Sequence, residues 1–407
     1  MSTQEKIRIV GGGFSGLIQA FYLIEAGYKV EVIEKESRLG GLVGSLKEGE
    51  FLVEQAANAF IANKELEKVA STIGVKLVPI KKSAKKRFIY RNGEMCRWPL
   101  SFSESLPLIS FLISRKFQKQ KVSPKPNETL QDWGKRCLGK EATFQLLEPG
   151  MRGIFIAPAK NLDASMVLNS LTRRYPRGDL KGSVAPLGGM QEWIDKMSSY
   201  LLKKGCDFKV GQETVDFNDS IPTILAVGLS DLRTLVNQQK IRLDKKILET
   251  QSASLTSVTL CFAENKAKSF EGFGCLFPKN ENFNSSGVLF NHNVFPGRAK
   301  NGVSETWILS DNDMAFSQMS HSALLRYILS DRFQFSGENI KPDFVKISQW
   351  SEKIPIYDSK LSEFLENFKE EGFPFLFAGN YLGDLGLSKL LFRAKSNAEK
   401  VKGGYFA

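Results

Sequence analysis

The sequence predicts an α/β protein: a nucleotide-binding α/β unit, a second domain of α+β type and a helical region. Three observations carry that prediction. Residues 7–41 read IRIVGGGFSGLIQAFYLIEAGYKVEVIEKESRLGG, in which two apolar runs flank a glycine-rich turn and a helix-like stretch. Residues 254–310 are rich in alternating β-type side chains, the pattern of an antiparallel sheet. At 407 residues the chain is too long for one simple core, so two domains are expected.

The first run (Ile7, Ile9, Val10) meets Gly11-Gly12-Gly13-Phe14-Ser15-Gly16. Leu17, Ala20, Phe21, Leu23 and Ile24 follow at helical spacing, Gly27 ends the helix, and the run Val30 to Ile33 delivers Glu34. This is the Rossmann-like strand–turn–helix–strand unit that binds a dinucleotide. Its glycines let backbone approach a pyrophosphate at a helix N-terminus, where free N–H groups and the helix dipole favour negative charge. The Glu34 carboxylate is spaced to accept a hydrogen bond from a ribose hydroxyl. Lys35 follows, then Arg38-Leu39-Gly40-Gly41 and Leu42. A plain NAD unit needs no second glycine pair there, whereas FAD, with its buried pyrophosphate–ribityl chain, does. Arg38 can neutralise phosphate, and Gly40-Gly41 let backbone pass close to it.

Further elements follow in order. Lys64 to Ile73 reads as a helix. Lys81-Lys82-Ser83-Ala84-Lys85-Lys86-Arg87-Phe88-Ile89-Tyr90 runs into a short strand, and Arg91-Asn92-Gly93-Glu94 is a hairpin turn. Residues 105–127 hold no acidic side chain; the run Leu106 to Ile113 is followed by Arg115, Lys116, Lys119, Lys121 and Lys125, an apolar patch beside a basic one that suits a membrane headgroup region. Residues 128–180 read as mainly helical. Pro186-Leu187-Gly188-Gly189-Met190 opens a helix from Gln191 to Leu202, with strands after it near Phe208–Val215 and Thr223–Val227. A helix from Ser317 to Arg332 follows the sheet region. The strand Phe375-Leu376-Phe377-Ala378 ends at Gly379-Asn380, a second place where backbone N–H groups can meet phosphate or flavin, and Leu387 to Lys402 forms the last helix. The expected division is a discontinuous FAD-binding domain (1–75, 183–240 and 368–407), a substrate domain (76–95 and 241–367) and a helical subdomain (96–182).

Composition narrows the function classes. No apolar stretch approaches the roughly 20 residues that span a bilayer, and a first strand near residue 6 leaves no room for a signal peptide. Five scattered cysteines, never CxxC, suit reduced thiols in a cytoplasmic protein. Only His292 and His321 are histidines, so neither a zinc site nor a Ser–His–Asp triad is expected; no metal site and no catalytic acid or base is assigned. Chemistry is therefore expected from a cofactor. The net charge of +12 favours an anionic partner (nucleic acid, anionic lipid or an acidic substrate) or serves solubility alone; a nucleic acid is not the expected partner.

Several blocks, in order, resemble the protoporphyrinogen oxidase family within the FAD-dependent amine oxidase superfamily. They are the opening unit through EKESRLGG; Lys86 to Tyr90; Leu147-Glu148-Pro149-Gly150-Met151-Arg152-Gly153-Ile154-Phe155; Pro186 to Met190; Gly272-Phe273-Gly274-Cys275-Leu276-Phe277-Pro278; Val294-Phe295-Pro296-Gly297-Arg298; Trp350 with Ile354-Pro355-Ile356-Tyr357; and Leu376 to Gly383. The resemblance implies a Rossmann-like FAD-binding domain, an α+β substrate domain and a helical region that touches the membrane. It implies oxidation of a porphyrinogen to a porphyrin in haem synthesis, with molecular oxygen as acceptor, by a protein peripheral on the inner face of the membrane. By match, Gly11 to Gly16, Glu34, Lys35, Arg38, Gly41 and Leu42 would hold the ADP half, and Val215 would lie on the adenine. Leu385, Gly386 and Leu387 would line the ribityl–isoalloxazine end, Trp350 would stand near the ring, and Arg87 would pair with a substrate propionate, for which arginine is a bidentate partner.

The chain also departs from the family. Ala56-Ala57 stand where relatives have Gly-Pro, and alanine takes a left-handed backbone only at a cost, which puts that loop's flavin contact in question. The stretches from Arg152 to Gly188 and from Val215 to Ala226 are shorter than usual. Two alternatives therefore stand beside the porphyrinogen oxidase: an amine oxidase or carotenoid-type desaturase, and a non-catalytic flavoprotein or membrane-surface module. Oligomeric state is not legible.

Overall fold

The computed structural model describes residues 5–98, 122–213, 215, 217, 221–239, 249–310, 314–368 and 373–406. A five-stranded, all-parallel sheet holds the opening motif. Its strands are β1 (Lys6–Val10), β2 (Lys29–Glu34), β10 (Asp207–Val210), β11 (Thr223–Leu225) and β17 (Phe375–Phe377), in the order β10-β2-β1-β11-β17. Side chains alternate between its two faces, as the strand period of two requires. Ile9, Ile224 and Leu376 join one core with the helices α1 (Phe14–Glu25), α2 (Lys64–Ile73), α6 (Met190–Lys203) and α10 (Leu387–Lys402). Val10, Leu225 and Phe377 join a second core. There they meet α3 (Leu130–Cys137), α4 (Glu148–Phe155), α5 (Ala164–Thr172), α7 (Leu229–Gln239) and α9 (Ser359–Asn367). The apolar side chains Ile9, Val10, Val30 and Val32 of the central strands are buried, and the polar Arg8 and Glu31 between them are buried as a pair at 2.7 Å.

A seven-stranded sheet makes the second layer. It contains β7 (Arg87–Arg91), β8 (Glu94–Trp98), β12 (Ser252–Phe262), β13 (Gly274–Leu276), β14 (Gly287–Phe290), β15 (Val303–Ser310) and β16 (Phe344–Pro355), in the order β16-β12-β15-β14-β13-β7-β8. All its pairs are antiparallel except β13 with β7. Asn92 and Gly93 take φ of 51° and 83°, the left-handed pair that a two-residue hairpin between β7 and β8 demands. One face packs Phe262, Phe290 and Trp307 against Phe335 of α8 (His321–Ser336). That helix starts four residues later than Ser317, because Ser320 caps it by accepting from the Ala323 N–H, while Phe316–Gln318 forms a separate 3₁₀ turn. Two small sheets complete the fold: β3 (Ser45–Glu48) with β4 (Phe51–Glu54), and β5 (Phe60–Ile61), β9 (Ser183–Pro186) and β6 (Leu77–Pro79).

The apolar run Leu106 to Ile113 and the cations Arg115 to Lys121, expected at a membrane surface, lie outside the described residues. Among the described residues no helix is long and apolar enough to cross a membrane.

One charged cluster sits inside the aromatic core. Glu305 on β15 is fully buried and takes hydrogen bonds from Arg332 Nε (3.2 Å) and Trp307 Nε1 (3.3 Å). Burial, outweighing the attraction of Arg332, pushes the Glu305 carboxyl up to about 7. The folded state therefore binds more protons than the unfolded one between the usual glutamate range and about 7, so this group's contribution to stability falls as pH rises through that window. The stability advantage of the native protein over Glu305→Gln, read from urea midpoints, is expected to be larger at pH 5 than at pH 8.

Candidate active site

The turn between β1 and α1 is built as the sequence suggests. Gly11 has φ of +104°, and a Cβ there would lie 2.5 Å from the Ala226 carbonyl oxygen; a Cβ on Gly16 would run into the Gly11 carbonyl oxygen. Gly13 caps α1 without a side chain, and the first turn carries no acidic residue, so its N–H groups and positive dipole end face outward unopposed. Phe14 is packed into the core, and Ser15 donates to the Ala378 carbonyl at the end of β17. Glu34 is buried, with its two oxygens taking the N–H groups of Gly12 (2.6 Å) and Glu36 (2.9 Å). Each carboxylate oxygen keeps a further lone pair.

The second glycine pair folds back on the first. The Gly40 N–H donates to the Gly12 carbonyl at 2.9 Å, and a Cβ on Gly41 would lie 3.2 Å from Gly13 Cα. Arg38 holds this loop from within. Its guanidinium donates to the carbonyls of Leu39, Gly41 and Val43 and, at 2.9 Å, to the Gln55 side chain. Its donors thus organise the loop, while its charge stays beside Gly41. Leu42 is half-buried next to it. Lys35 pairs with Asp231 at 2.6 Å, and that hydrogen bond raises the Lys35 ammonium above its usual value.

Gln55 joins this loop to the second sheet. Its N–H donates to the Gly44 carbonyl at 2.9 Å, and its own carbonyl accepts from Trp350 Nε1 (3.4 Å) and Ser257 Oγ (3.5 Å). Ala56 and Ala57 follow without positive φ, so they carry no left-handed strain. Beyond Trp350, β16 bulges: Ser351 to Lys353 stand opposite the single residue Ser254, since Trp350 pairs with Leu255 and Ile354 with Ala253. The bulge turns Lys353 toward the nucleotide unit, where its amine reaches Asp231 (3.4 Å) and its carbonyl accepts from Asn380 Nδ2 (3.2 Å).

A buried ion pair closes the same seam. Glu54 and Arg298 meet at 2.9 Å with both side chains almost fully buried. Glu54 also accepts from the Met190 N–H at the start of α6 and from Ser45, and Arg298 donates to the carbonyls of Pro186 and Leu187. Burial pushes the Glu54 carboxyl up and the Arg298 guanidinium down, against their mutual attraction.

The sheet face turned to the nucleotide unit is rich in hydroxyls. Thr259 and Thr306 share a hydrogen bond at 2.7 Å, and Asn291 donates to Thr306 (2.7 Å) and Ser304 (3.2 Å). A cavity of about 30 Å³ lies between this face and the 52–59 segment, with Leu52, Glu54, Asn58, Asn291, Phe273 and Phe295 on its walls. The exposed Arg87 guanidinium lies over the Phe273 ring, 4.7 Å from its centre. Stacking occupies the face of the guanidinium and leaves its in-plane donors for a ligand.

At the other end, Gly379 and Asn380 follow β17, and the Asn380 Oδ1 is buried with no partner among the described residues. Leu385 and Gly386 (φ +111°) lead into α10 at Leu387. Val215 is buried in the second core beside Val10 and Ile33 rather than standing free. The structure thus brings Gly11 to Gly16, Glu34, Arg38, Gly41 and Leu42 into one cradle and links Trp350 and Asn380 to it. Arg87 stands apart, across Phe273. Sequence reading missed Gln55, Lys353, Glu54 and Arg298. Arg298 lies in a block already notable for resemblance and Glu54 two residues before the Ala56-Ala57 departure, but partners so distant in sequence leave no local pattern. Among the described residues no group of His, Cys, Asp and Glu could hold a metal.

The chain is similar to several known proteins. The family profile of the NAD(P)-binding Rossmann-like domain matches residues 9–73. The mitochondrial protoporphyrinogen oxidase of Nicotiana tabacum is 24% identical, covering 98% of this chain and 95% of that protein. The coproporphyrinogen III oxidase of Bacillus subtilis (strain 168) is 19% identical, covering 87% and 88%. The chain is similar to protoporphyrinogen oxidases over nearly its whole length. It is an oxidoreductase. A crystal structure of a provisionally named protoporphyrinogen oxidase from Exiguobacterium sp. 255-15 shares the fold with a TM-score of 0.81 at 18% identity, covering 99% of both chains. A putrescine oxidase bound to putrescine shares it with a TM-score of 0.73 at 16% identity, covering 98% and 99%.

Two outcomes follow from this geometry. Gly16→Ala is expected to yield folded protein, by far-ultraviolet circular dichroism, that retains no flavin. Arg298→Met leaves Glu54 buried without its counter-charge and should cost about 3–5 kcal/mol in urea unfolding, a loss partly recovered in Arg298→Met/Glu54→Gln.

Proposed function

We propose that this chain is an FAD-dependent oxidase that converts a porphyrinogen to the porphyrin, with molecular oxygen as acceptor. The observation that carries the reading is the uncapped glycine turn facing the Gly41 loop, clamped through Gln55 to the sheet that bears Trp350. The residues present fit FAD. The opposed Gly13 and Gly41 backbones leave space that a Cβ would fill, Glu34 keeps acceptor capacity for ribose hydroxyls, and Asn380 Oδ1 is a buried acceptor awaiting a donor. Bound FAD would supply the hydride acceptor.

The protein's share is positioning and charge complementarity. Gly11 to Gly16, Gly41 and Leu42 would hold the pyrophosphate, and Glu34 the ribose. Arg38 and Lys35 supply positive charge nearby. Val215 would border the adenine, and Trp350, Gly379, Asn380, Leu385, Gly386 and Leu387 the isoalloxazine end. Arg87 would pair with a propionate, its ring-stacked guanidinium offering two parallel N–H bonds to a carboxylate. A membrane-surface contact through residues 105–127 belongs to the same proposal, since a tetrapyrrole with a large apolar ring partitions toward lipid.

The test is the spectrum of gently purified protein, followed by turnover of protoporphyrinogen and coproporphyrinogen read as porphyrin fluorescence. Flavin absorbance and porphyrin formation are expected. Absence of flavin with no uptake of added FAD overturns the cofactor, and turnover of an amine or a polyene alone moves the substrate to those classes. Arg87→Ala is expected to raise KM for the porphyrinogen at least tenfold with kcat little changed, since the lost charge-assisted bonds serve substrate and transition state alike.

A further inference from the structure

Tyr357 lies two residues beyond β16, is fully buried, and packs its ring against Phe155 at 5.4 Å. Its backbone carbonyl accepts from the Asp163 N–H at 2.7 Å, which anchors it to the start of α5. Its phenol reaches two backbone groups at once. It donates to the Asn380 carbonyl at 3.3 Å and accepts the Leu385 N–H at 2.6 Å. A hydroxyl carries one proton and two lone pairs, so a single oxygen serves both partners. Burial, with Asp384 nearby, pushes the phenol's pKa upward, so it keeps the proton that the donation requires. Between the two partners the chain makes a 3₁₀ turn at Asn380–Leu382 and a left-handed Gly383 (φ +85°), braced midway by Arg393, which donates to the Leu382 carbonyl (3.0 Å) and to Asp384 (2.8 Å), while the Tyr357 hydroxyl spans the two ends.

We infer that Tyr357 is a positioning residue: its hydroxyl sets the spacing between Asn380 and Leu385, and through them the seat of the isoalloxazine end. This inference rests on the flavin reading above. Tyr357→Phe keeps the ring and its packing but leaves a half-buried carbonyl and a half-buried N–H without their shared partner. The Asn380–Leu385 turn then relaxes, and the flavin is held less tightly and in a changed electrostatic setting.

The experiment compares wild type, Tyr357→Phe, Leu385→Pro and Phe155→Leu as FAD-loaded proteins. Leu385→Pro removes the N–H from the other side with the phenol intact. Phe155→Leu loosens the same apolar cluster and leaves both hydrogen bonds. The readouts are FAD affinity by titration, the flavin absorption spectrum, its midpoint potential and thermal unfolding. Tyr357→Phe and Leu385→Pro are expected to weaken FAD binding about tenfold and to shift spectrum and potential together, a factor on the scale of a hydrogen bond's net contribution. Phe155→Leu is expected to lower the unfolding temperature and leave spectrum and potential unchanged. Unaltered affinity, spectrum and potential in Tyr357→Phe, whatever its unfolding temperature, overturn the inference, as does an equal shift in Phe155→Leu. A wild type that takes up no FAD sinks the flavin reading instead.

Discussion

The Glu54–Arg298 pair is the constraint on which the rest of the site hangs. A carboxylate and a guanidinium taken out of water lose several kcal/mol of hydration each, which their attraction repays only with good geometry and full hydrogen bonding. Here the hydrogen bonding is supplied by backbone from three places: the Met190 N–H at the start of α6 and the Pro186 and Leu187 carbonyls before it. Neither ion can shift without stranding the other. The β4 strand, the start of α6 and the 297–298 turn of the large sheet are therefore locked in one register. Gln55, the residue after Glu54, inherits that register, and this is what lets its carbonyl meet both Trp350 and Ser257.

The parallel sheet makes the complementary demand. Gly11, Glu34, Ala226 and Ala378 stand at or just beyond the carboxyl ends of adjacent strands, where open α/β sheets bind ligands. Close approach there is enforced by sterics: any side chain on Gly11 or Gly16 collides with backbone of the next segment. The Lys35–Asp231–Lys353 contacts and the Asn380–Lys353 bond then tie these strand ends to the bulge in β16. Polar bonds thus join the two layers beside the apolar contact of Val294 and Phe295 with Ala185, which suits a cleft that must also admit polar ligands.

Legibility in the sequence follows from how local each device is. The glycine turn, Glu34, the Asn92-Gly93 hairpin and the last helix are written in contiguous residues, and their physics is local, so they could be read. Arg38 was legible as a cation but not as the internal brace of its own loop, because inward-pointing carbonyls leave no mark on composition. Ala56-Ala57 read as an anomaly only on the premise of a left-handed backbone; the loop avoids positive φ and the anomaly dissolves. Gln55, Lys353 and the Glu54–Arg298 pair depend on a bulge and on contacts between distant segments, which no periodicity encodes.

The two histidines sharpen what such a site can do. His292 is buried, its ring nitrogens engaged by Ser304 and Ser269 at 3.0 Å each, and burial lowers its pKa, so it remains a neutral structural imidazole. His321 opens α8, away from the glycine turn. His292 is therefore not poised to exchange protons. Where the protein's share is placement, it accelerates a reaction through the positions of cofactor and substrate. Placement, in turn, is only as good as the bonds that fix the two layers, so the buried seam and the Asn380–Leu385 turn carry the burden that a catalytic dyad carries elsewhere.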